Sequence, residues 1–113
     1  MFGIIHAGWK GVLDGIIENT LDEFISNGEK INNLRIFVGP HLKKESFEVK
    51  DDFIKILKNK INCSEEFIKL KKNKKFFDFS KLIESKISNY NNKNFYISEI
   101  DTFSNPYYFF SHR

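Results

Sequence analysis

Apolar side chains recur along the chain with two different spacings, which predict alternating strands and helices. Short apolar runs predict strands at residues 2–5, 34–38, 46–49, 67–70, 76–77 and 95–98. Apolar positions three and four residues apart predict amphipathic helices at residues 11–27, 52–61 and 79–90. Strands that alternate with amphipathic helices are typical of α/β proteins. We therefore expect an α/β fold in which helices pack on the faces of a mixed β-sheet.

Glycine and short polar residues mark where these elements begin and end. Gly28 stands where the first long helix needs a left-handed residue beyond its last turn. Asp51 or Asp52 is placed to cap the second helix, and Asp78 to cap the third. A cap at Asp78 is an alternative to a role for that carboxylate as an acid or base. Each boundary therefore has a structural explanation in the sequence.

Composition favours a single folded unit. The chain has 113 residues, of which 41% are hydrophobic and 13 are Phe, which excludes a disordered tail. No apolar run approaches the roughly 20 residues that span a bilayer, and the N-terminus lacks the pattern of a secretion signal. The lone Cys63 cannot form an internal disulfide. We therefore expect a cytoplasmic protein that does not associate with a membrane.

The net charge of +3 comes mainly from lysine, since only Arg35 and Arg113 among the 18 basic residues are arginines. Proteins that read nucleic acids rely on arginine for paired contacts with bases and phosphates. The densest basic segment, residues 69–75, is predicted to be a solvated hairpin turn. Nucleic-acid binding through these lysines is a remaining alternative, and it would weaken steeply with salt.

The segment from Ile5 to Gly11 is the most informative for chemistry. It places His6 at the carboxyl end of a predicted strand, before a glycine-rich turn that opens a helix. Ligands of open α/β sheets bind at that edge, and a helix N-terminus favours anions. Lys10 is followed by Gly11 and not by Ser or Thr, so the segment is not a P-loop. A lone His at a strand end can equally be a structural hydrogen-bonding group.

The segment His6-Ala7-Gly8-Trp9-Lys10-Gly11 resembles the H-A-G-W-[RK]-G signature of the laccase-like polyphenol oxidase family. Three further stretches agree with that family in order and approximate spacing. They are Val38-Gly39-Pro40 with Phe47-Glu48-Val49, Phe77-Asp78-Phe79, and Thr102-Phe103 with the ending Phe109-Phe110-Ser111-His112-Arg113. The resemblance covers essentially the whole chain, and the six-residue opening is its specific part.

This resemblance implies a function in purine metabolism. Members of the family were first described as multicopper polyphenol oxidases and are now regarded as zinc-dependent purine nucleoside enzymes. The implied reactions are phosphorolysis of adenosine, inosine, guanosine and methylthioadenosine, and deamination of adenosine. The implied partners are purine nucleosides and phosphate, with zinc rather than copper as cofactor. Three His and one Cys are also too few ligands for a multicopper oxidase.

By the same resemblance His6 corresponds to a zinc ligand and catalytic residue. Gly8, Lys10, Gly11 and Arg113 are then candidates for binding phosphate or substrate. The family's other two metal ligands lie in V-H-G and D-C-x-P segments, and neither segment occurs in this sequence.

Residues 1–113 are therefore expected to be the C-terminal portion of a larger single domain, truncated and inactive alone. A missing N-terminal portion of the same domain is a candidate partner. The alternative to the phosphorylase and deaminase function is a catalytically inactive fragment or a partner-dependent domain.

Several positions depart from the family pattern. Asp101 stands where the family has a Cys, and residues 41–44 replace a loop that contains Gly and Pro. Cys63 follows a helix where the family has no ligand, so we expect it to be a small buried side chain. Trp9 is predicted to be a packing aromatic, with stacking on a purine as the alternative.

Overall fold

The computed structural model describes residues 2–102, and it confirms the α/β class. Its helices are α1 Trp9–Leu13, α2 Ile16–Ser26, α3 Asp51–Lys60 and α4 Phe79–Ser88. Its strands are β1 Ile36–Val38, β2 Glu48–Val49, β3 Ile68–Lys71, β4 Lys74–Phe77 and β5 Phe95–Ile97. Short 3₁₀ helices occupy Ile31–Asn33 and Ser64–Phe67. None of the helices within residues 2–102 is both long and apolar enough to cross a bilayer.

Parallel and antiparallel pairing lie in two separate sheets. Strands β1 and β5 form a two-stranded parallel sheet in which Phe37 pairs with Tyr96. Strands β2, β4 and β3 form a three-stranded antiparallel sheet with β4 in the middle. The long connection between β1 and β5 contains the whole antiparallel sheet, α3 and α4. The paired strands of the parallel sheet are therefore far apart in the sequence, whereas those of the antiparallel sheet are close together.

The predicted helix at residues 11–27 is interrupted in the structure. It begins at Trp9, ends at Leu13, and resumes at Ile16 after a turn at Gly15. Gly15 has a φ of +101°, in a region that does not continue a right-handed helix. The end of α2 is as predicted, because the Gly28 N–H bonds to Ile25 O at 3.0 Å in the manner of a glycine C-terminal motif.

The predicted strand at residues 2–5 is absent, since these residues have no regular secondary structure. A strand is held by hydrogen bonds to a neighbour, and within residues 2–102 this segment is paired with no other strand. Phe2 and Ile4 are more than nine-tenths exposed. The strand prediction for residues 2–5 is therefore wrong, and the described residues leave Phe2 and Ile4 uncovered.

Four phenylalanines form the centre of the core, which joins β2, α3, β4 and α4. The ring of Phe77 is fully buried and lies 5.1 Å from Phe47, 4.9 Å from Phe53 and 5.8 Å from Phe79, measured between centroids. Aromatic pairs at such distances contribute about 0.5–1.5 kcal/mol each beyond their buried area. The antiparallel sheet and its two flanking helices thus share one dense aromatic cluster.

The lysine-rich segment is a solvated hairpin, as predicted. Strands β3 and β4 are joined by Lys72 and Asn73, both with positive φ. Two such residues give the tight turn whose twist suits a hairpin. Asp78 also caps α4, because its carboxylate accepts a hydrogen bond from the Lys81 N–H at 3.1 Å.

Two smaller expectations were wrong. Asp51 and Asp52 lie inside the first turn of α3 rather than at its cap, which is Lys50. There they stabilise the helix through its dipole instead of by capping. Cys63 is exposed and not buried, and it lies in the turn between α3 and the next 3₁₀ helix, where its backbone is left-handed (φ 57°).

Candidate functional site

A cleft of about 1050 Å³ lies along one edge of the parallel sheet. The N-terminal segment 2–9 forms one part of its wall, and residues 33–42, which include all of β1, form another. Its floor comes from α2 and α4, and Thr102 also lines it. No residue of β5 lines the cleft. The cleft therefore lies beside β1, on the side away from β5.

His6 lies on the wall of this cleft, where the segment leads into α1. Its side chain is exposed, and within residues 2–102 it makes no hydrogen bond or ion pair. An exposed imidazole with no internal partner can bind a ligand that enters the cleft. A structural hydrogen-bonding role for His6 has no support among the described contacts.

The structure brings only part of the predicted anion site to the cleft. Gly8 lines it and precedes α1 in an extended conformation, with open space where a side chain would stand. Lys10 does not line the cleft, and its ammonium lies 5.5 Å from the centre of the Trp9 ring. Gly11 faces α2 instead, where an added Cβ would lie 3.7 Å from Ile16. Arg113 lies outside the described residues.

Trp9 is half-buried between the cleft and the aromatic core. Its ring lies 4.7 Å from the ring of Phe53, tilted by 56°. This contact anchors α1 to α3 and supports the predicted packing role. The same ring also lines the cleft, so one side chain links the core to the candidate site.

Sequence reasoning missed a polar network around His41, at the end of β1. The Nδ1 of His41 lies 2.9 Å from Gly39 O, and Nε2 lies 2.7 Å from Ser80 Oγ. A carbonyl only accepts, so Nδ1 carries the proton and Nε2 accepts from the Ser80 hydroxyl. The Lys43 ammonium also donates to Ser80 Oγ at 3.0 Å. Burial lowers the pKa of His41 and outweighs the opposing effect of the Gly39 carbonyl.

Asp101 ties the chain after β5 to the loop after β1. Its carboxylate accepts a hydrogen bond from the Ser46 hydroxyl and another, at 3.4 Å, from the Lys43 N–H. The Thr102 N–H donates to His41 O at 3.2 Å. No sequence spacing signals these contacts, because the partners are more than 50 residues apart. The departures from the family pattern at residues 41–44 and 101 thus meet in one place.

The described residues do not complete a metal centre. Within residues 2–102 no three His, Cys, Asp or Glu side chains are close enough to share a metal ion. Catalytic zinc usually takes three protein ligands and keeps one open position. His6 offers a single imidazole at the cleft. The donor set in residues 2–102 alone therefore does not fit a catalytic zinc.

Similarity to proteins of known sequence agrees with the interpretation of the His6 segment. A purine nucleoside phosphorylase of Rickettsia prowazekii is 34% identical over 108 residues, which cover 94% of this chain and 44% of that enzyme. A purine nucleoside phosphorylase of Rickettsia conorii gives the same identity and coverage. An adenosine deaminase from an unknown prokaryotic organism is 27% identical over 55 residues, 49% of this chain and 21% of that enzyme.

A solved structure shares the fold. The crystal structure of the Bacillus licheniformis hypothetical protein YfiH superimposes with a TM-score of 0.71 at 22% identity, over 86% of this chain and 38% of that one. The chain thus spans less than half the length of the two Rickettsia relatives and of this neighbour. The family model described as multi-copper polyphenol oxidoreductase laccase matches residues 1–113, and the chain belongs to that family.

Proposed function

We propose that this chain supplies one part of a purine nucleoside phosphorylase site, with the nucleoside bound in the cleft beside β1. The observation that carries the proposal is the position of His6 and Gly8 on the wall of that cleft. It is supported by the 34% identity to two purine nucleoside phosphorylases over 94% of the chain. Adenosine, inosine, guanosine and methylthioadenosine are the proposed substrates, and adenosine deamination is the proposed second reaction.

Phosphorolysis makes two different demands on such a site. An oxygen of phosphate forms a bond to C1′ of the ribose while the bond from C1′ to the purine breaks, which gives ribose 1-phosphate and the free base. The purine needs apolar walls, which Phe24, Leu34 and Ile36 provide in the cleft. The phosphate needs positive charge and backbone N–H groups. We assign that role to Gly8 and, by the family resemblance, to Arg113, because Lys10 and Gly11 do not line the cleft.

We assign His6 as one ligand of a zinc ion rather than of copper. Because the donor set within residues 2–102 is incomplete, we propose that the other ligands come from outside those residues. An inactive fragment or partner-dependent domain is the second candidate function, and that same incomplete donor set favours it. We propose a cytoplasmic location for the phosphorylase candidate, because its nucleoside and phosphate substrates are intracellular metabolites.

The test joins this chain to the part of the Rickettsia prowazekii enzyme outside the match, in the order of that enzyme. The joined protein is expected to convert inosine to hypoxanthine only when phosphate and zinc are supplied. His6→Ala should abolish the reaction, and Arg113→Met should raise the KM for phosphate, while Lys72→Met on the distant hairpin should change neither. A folded joined protein with no phosphate-dependent product would refute the proposed activity and favour the second candidate.

A further inference from the structure

A serine hydroxyl, an imidazole and an ammonium group meet in the polar network at the end of β1. Ser80 Oγ lies 2.7 Å from His41 Nε2 and 3.0 Å from Lys43 Nζ. Because Nδ1 of His41 donates to Gly39 O, the lone pair of Nε2 faces the Ser80 hydroxyl proton. A nucleophilic serine needs a base within hydrogen-bond reach and a third group that orients the base. Ser80, His41 and the Gly39 carbonyl supply these three parts.

The imidazole of His41 is held in place by packing as well as by hydrogen bonds. The ring of Phe79 meets it edge-on, with 5.7 Å between centroids and 81° between planes. The Thr102 N–H fixes the His41 backbone by donating to its carbonyl at 3.2 Å. Burial lowers the pKa of His41, so the imidazole is neutral at pH 7 and Nε2 can accept a proton. A fixed, neutral imidazole of this tautomer is what a general base requires.

Lys43 brings a positive charge to the same hydroxyl oxygen. Its ammonium donates to Ser80 Oγ, so it stabilises the negative charge that develops on this oxygen as the proton leaves. The same charge favours an oxyanion, because the carbonyl oxygen of a bound ester is one bond away from the carbon that Oγ attacks. Ser46 differs, since its hydroxyl donates to the carboxylate of Asp101. Carboxylates are much weaker bases than imidazole.

The Ser80 hydroxyl is open to a second cleft, of about 570 Å³. Ser80 and Lys43 line this second cleft, whereas His41 lines the cleft beside β1. Ser80 is half-buried, so its hydroxyl is not sealed in the core. Three lysines and four carboxylates also line the second cleft, and within residues 2–102 no apolar side chain does so. Such walls fit a small polar substrate and offer nothing to a long acyl chain.

From these contacts we infer that Ser80 is a nucleophile, with His41 as its base, that hydrolyses short-chain carboxylic esters of polar alcohols, such as O-acetyl groups, in the second cleft. This activity is separate from the proposed phosphorolysis, because it uses neither His6 nor a metal ion nor a nucleoside.

The reaction has two balanced steps. First, Ser80 Oγ forms a bond to the ester carbonyl carbon while the hydroxyl proton passes to His41 Nε2. The bond from that carbon to the alcohol oxygen breaks, the electron pair stays on that oxygen, and the alcohol leaves with the proton from Nε2. Second, water forms a bond to the acyl carbon and gives a proton to Nε2. The bond to Oγ then breaks, and Nε2 returns the proton to Ser80, which leaves one acid and one alcohol.

Covalent labelling identifies the nucleophile. The chain is reacted with diisopropyl fluorophosphate in the presence of a metal chelator, and the adduct is located by peptide mass spectrometry. The phosphorus forms a bond to an activated serine oxygen, and fluoride and the hydroxyl proton leave. The expected result is an adduct on Ser80 that does not form when the chain is unfolded in urea. No adduct, an adduct on Ser46 instead, or the same yield in urea would overturn the inference.

Two variants and a matched control test the roles of the neighbouring groups. His41→Gln should slow labelling by about 100-fold or more, as expected for loss of a general base. Lys43→Met should slow it by about tenfold or more, because one charged donor is lost. Ser88→Ala removes an exposed hydroxyl from the same helix and should leave the rate unchanged. An unchanged rate in His41→Gln, with its folding checked by circular dichroism, would overturn the inference.

Turnover distinguishes an esterase from a serine that is only reactive. With p-nitrophenyl acetate, the chain should release a burst of about one equivalent of p-nitrophenol and then continue to release it. p-Nitrophenyl decanoate should react at least about tenfold more slowly, because the described walls of the second cleft are polar. Release that stops after the burst, or that persists unchanged in folded Ser80→Ala, would overturn the inference. Since these assays contain no nucleoside, phosphate or zinc, failure of the proposed phosphorolysis does not change their result.

Discussion

Two regions of this chain differ in how completely they bury their own aromatic side chains. The hairpin region, residues 46–78, surrounds its aromatic cluster with an antiparallel sheet and α3, and Phe47 and Phe77 are almost fully buried. The cleft region, residues 2–8 with β1 and β5, leaves Phe37 and Tyr96 mostly exposed. Antiparallel hairpins can be completed by local chain, whereas parallel strands need cover on both faces. The hairpin region therefore buries its own aromatic side chains, whereas the region that carries the candidate site leaves some of its own exposed.

The largest expected effect compares one phenylalanine from each region. Phe77→Ala should lower the free energy of unfolding by about 3–5 kcal/mol, because it empties the centre of the aromatic cluster. Phe37→Ala should change it by less than about 0.5 kcal/mol, since an exposed side chain loses few contacts. Urea unfolding followed by Trp9 fluorescence measures both. Similar losses for the two variants would mean that the cleft region is already closed in the chain alone.

A smaller effect tests what holds the parallel strands together. Asn92 is almost fully buried, and its side-chain amide donates to Ile31 O at 2.7 Å and to Leu34 O at 2.9 Å. These bonds connect the turn before β5 to the chain before β1. Asn92→Ala should cost about 1–3 kcal/mol, because two carbonyls lose their buried donor. Urea unfolding again measures the loss, and Asn89→Ala on the exposed end of α4 is the control. Equal and negligible losses for the two variants would mean that Asn92 does not hold the parallel strands together.

A cap in the hairpin region should matter less again. Asp78→Ala removes the side-chain acceptor for the Lys81 N–H and should cost about 1 kcal/mol. Asp52→Ala, in the first turn of α3 without a cap bond, should cost about 0.5 kcal/mol through the helix dipole. Thermal unfolding of the two variants gives the comparison. A larger loss for Asp52→Ala would contradict the capping assignment.

The pH dependence of the cleft region is the smallest predicted effect. Burial holds the pKa of His41 below its ordinary value of 6.5. The unfolded chain therefore binds a proton near pH 6.5 that the folded chain resists, so this contribution is full above that pH and is lost as the pH falls. His41→Gln should flatten the stability profile below pH 6.5, measured by urea midpoints from pH 5 to pH 8. An unchanged slope would mean that His41 does not titrate differently on folding.

The comparison also explains which features the sequence could predict. The hairpin, the Asp78 cap and the Gly28 helix end depend on neighbours within a few residues, so pattern and turn chemistry were sufficient. The break at Gly15 was missed because apolar spacing continues across it. The predicted strand at residues 2–5 failed for a different reason: an apolar run becomes a strand only when a partner strand is present to bond it.

In the candidate site, too, local features could be predicted from the sequence and long-range contacts could not. His6 and Gly8 were placed at the cleft by a local motif, and the structure puts both on its wall. Lys10 and Gly11 share that motif but do not line the cleft, because helix α1 turns successive side chains to different sides. The contacts of His41 with Ser80, and of Asp101 with Ser46, join distant parts of the chain. No spacing in the sequence encodes such contacts.

Amide hydrogen exchange tests the contrast between the regions most directly. In the chain alone, the Phe77 amide, which bonds to Phe47 O at 2.9 Å, should exchange slowly. The amides of Ile36 and Ser98, which join β1 to β5, should exchange much faster. Joining the unmatched part of the Rickettsia prowazekii enzyme should slow exchange at Ile36 and Ser98 and leave Phe77 unchanged. Equal protection of the two regions in the chain alone, with no change on joining, would contradict the account.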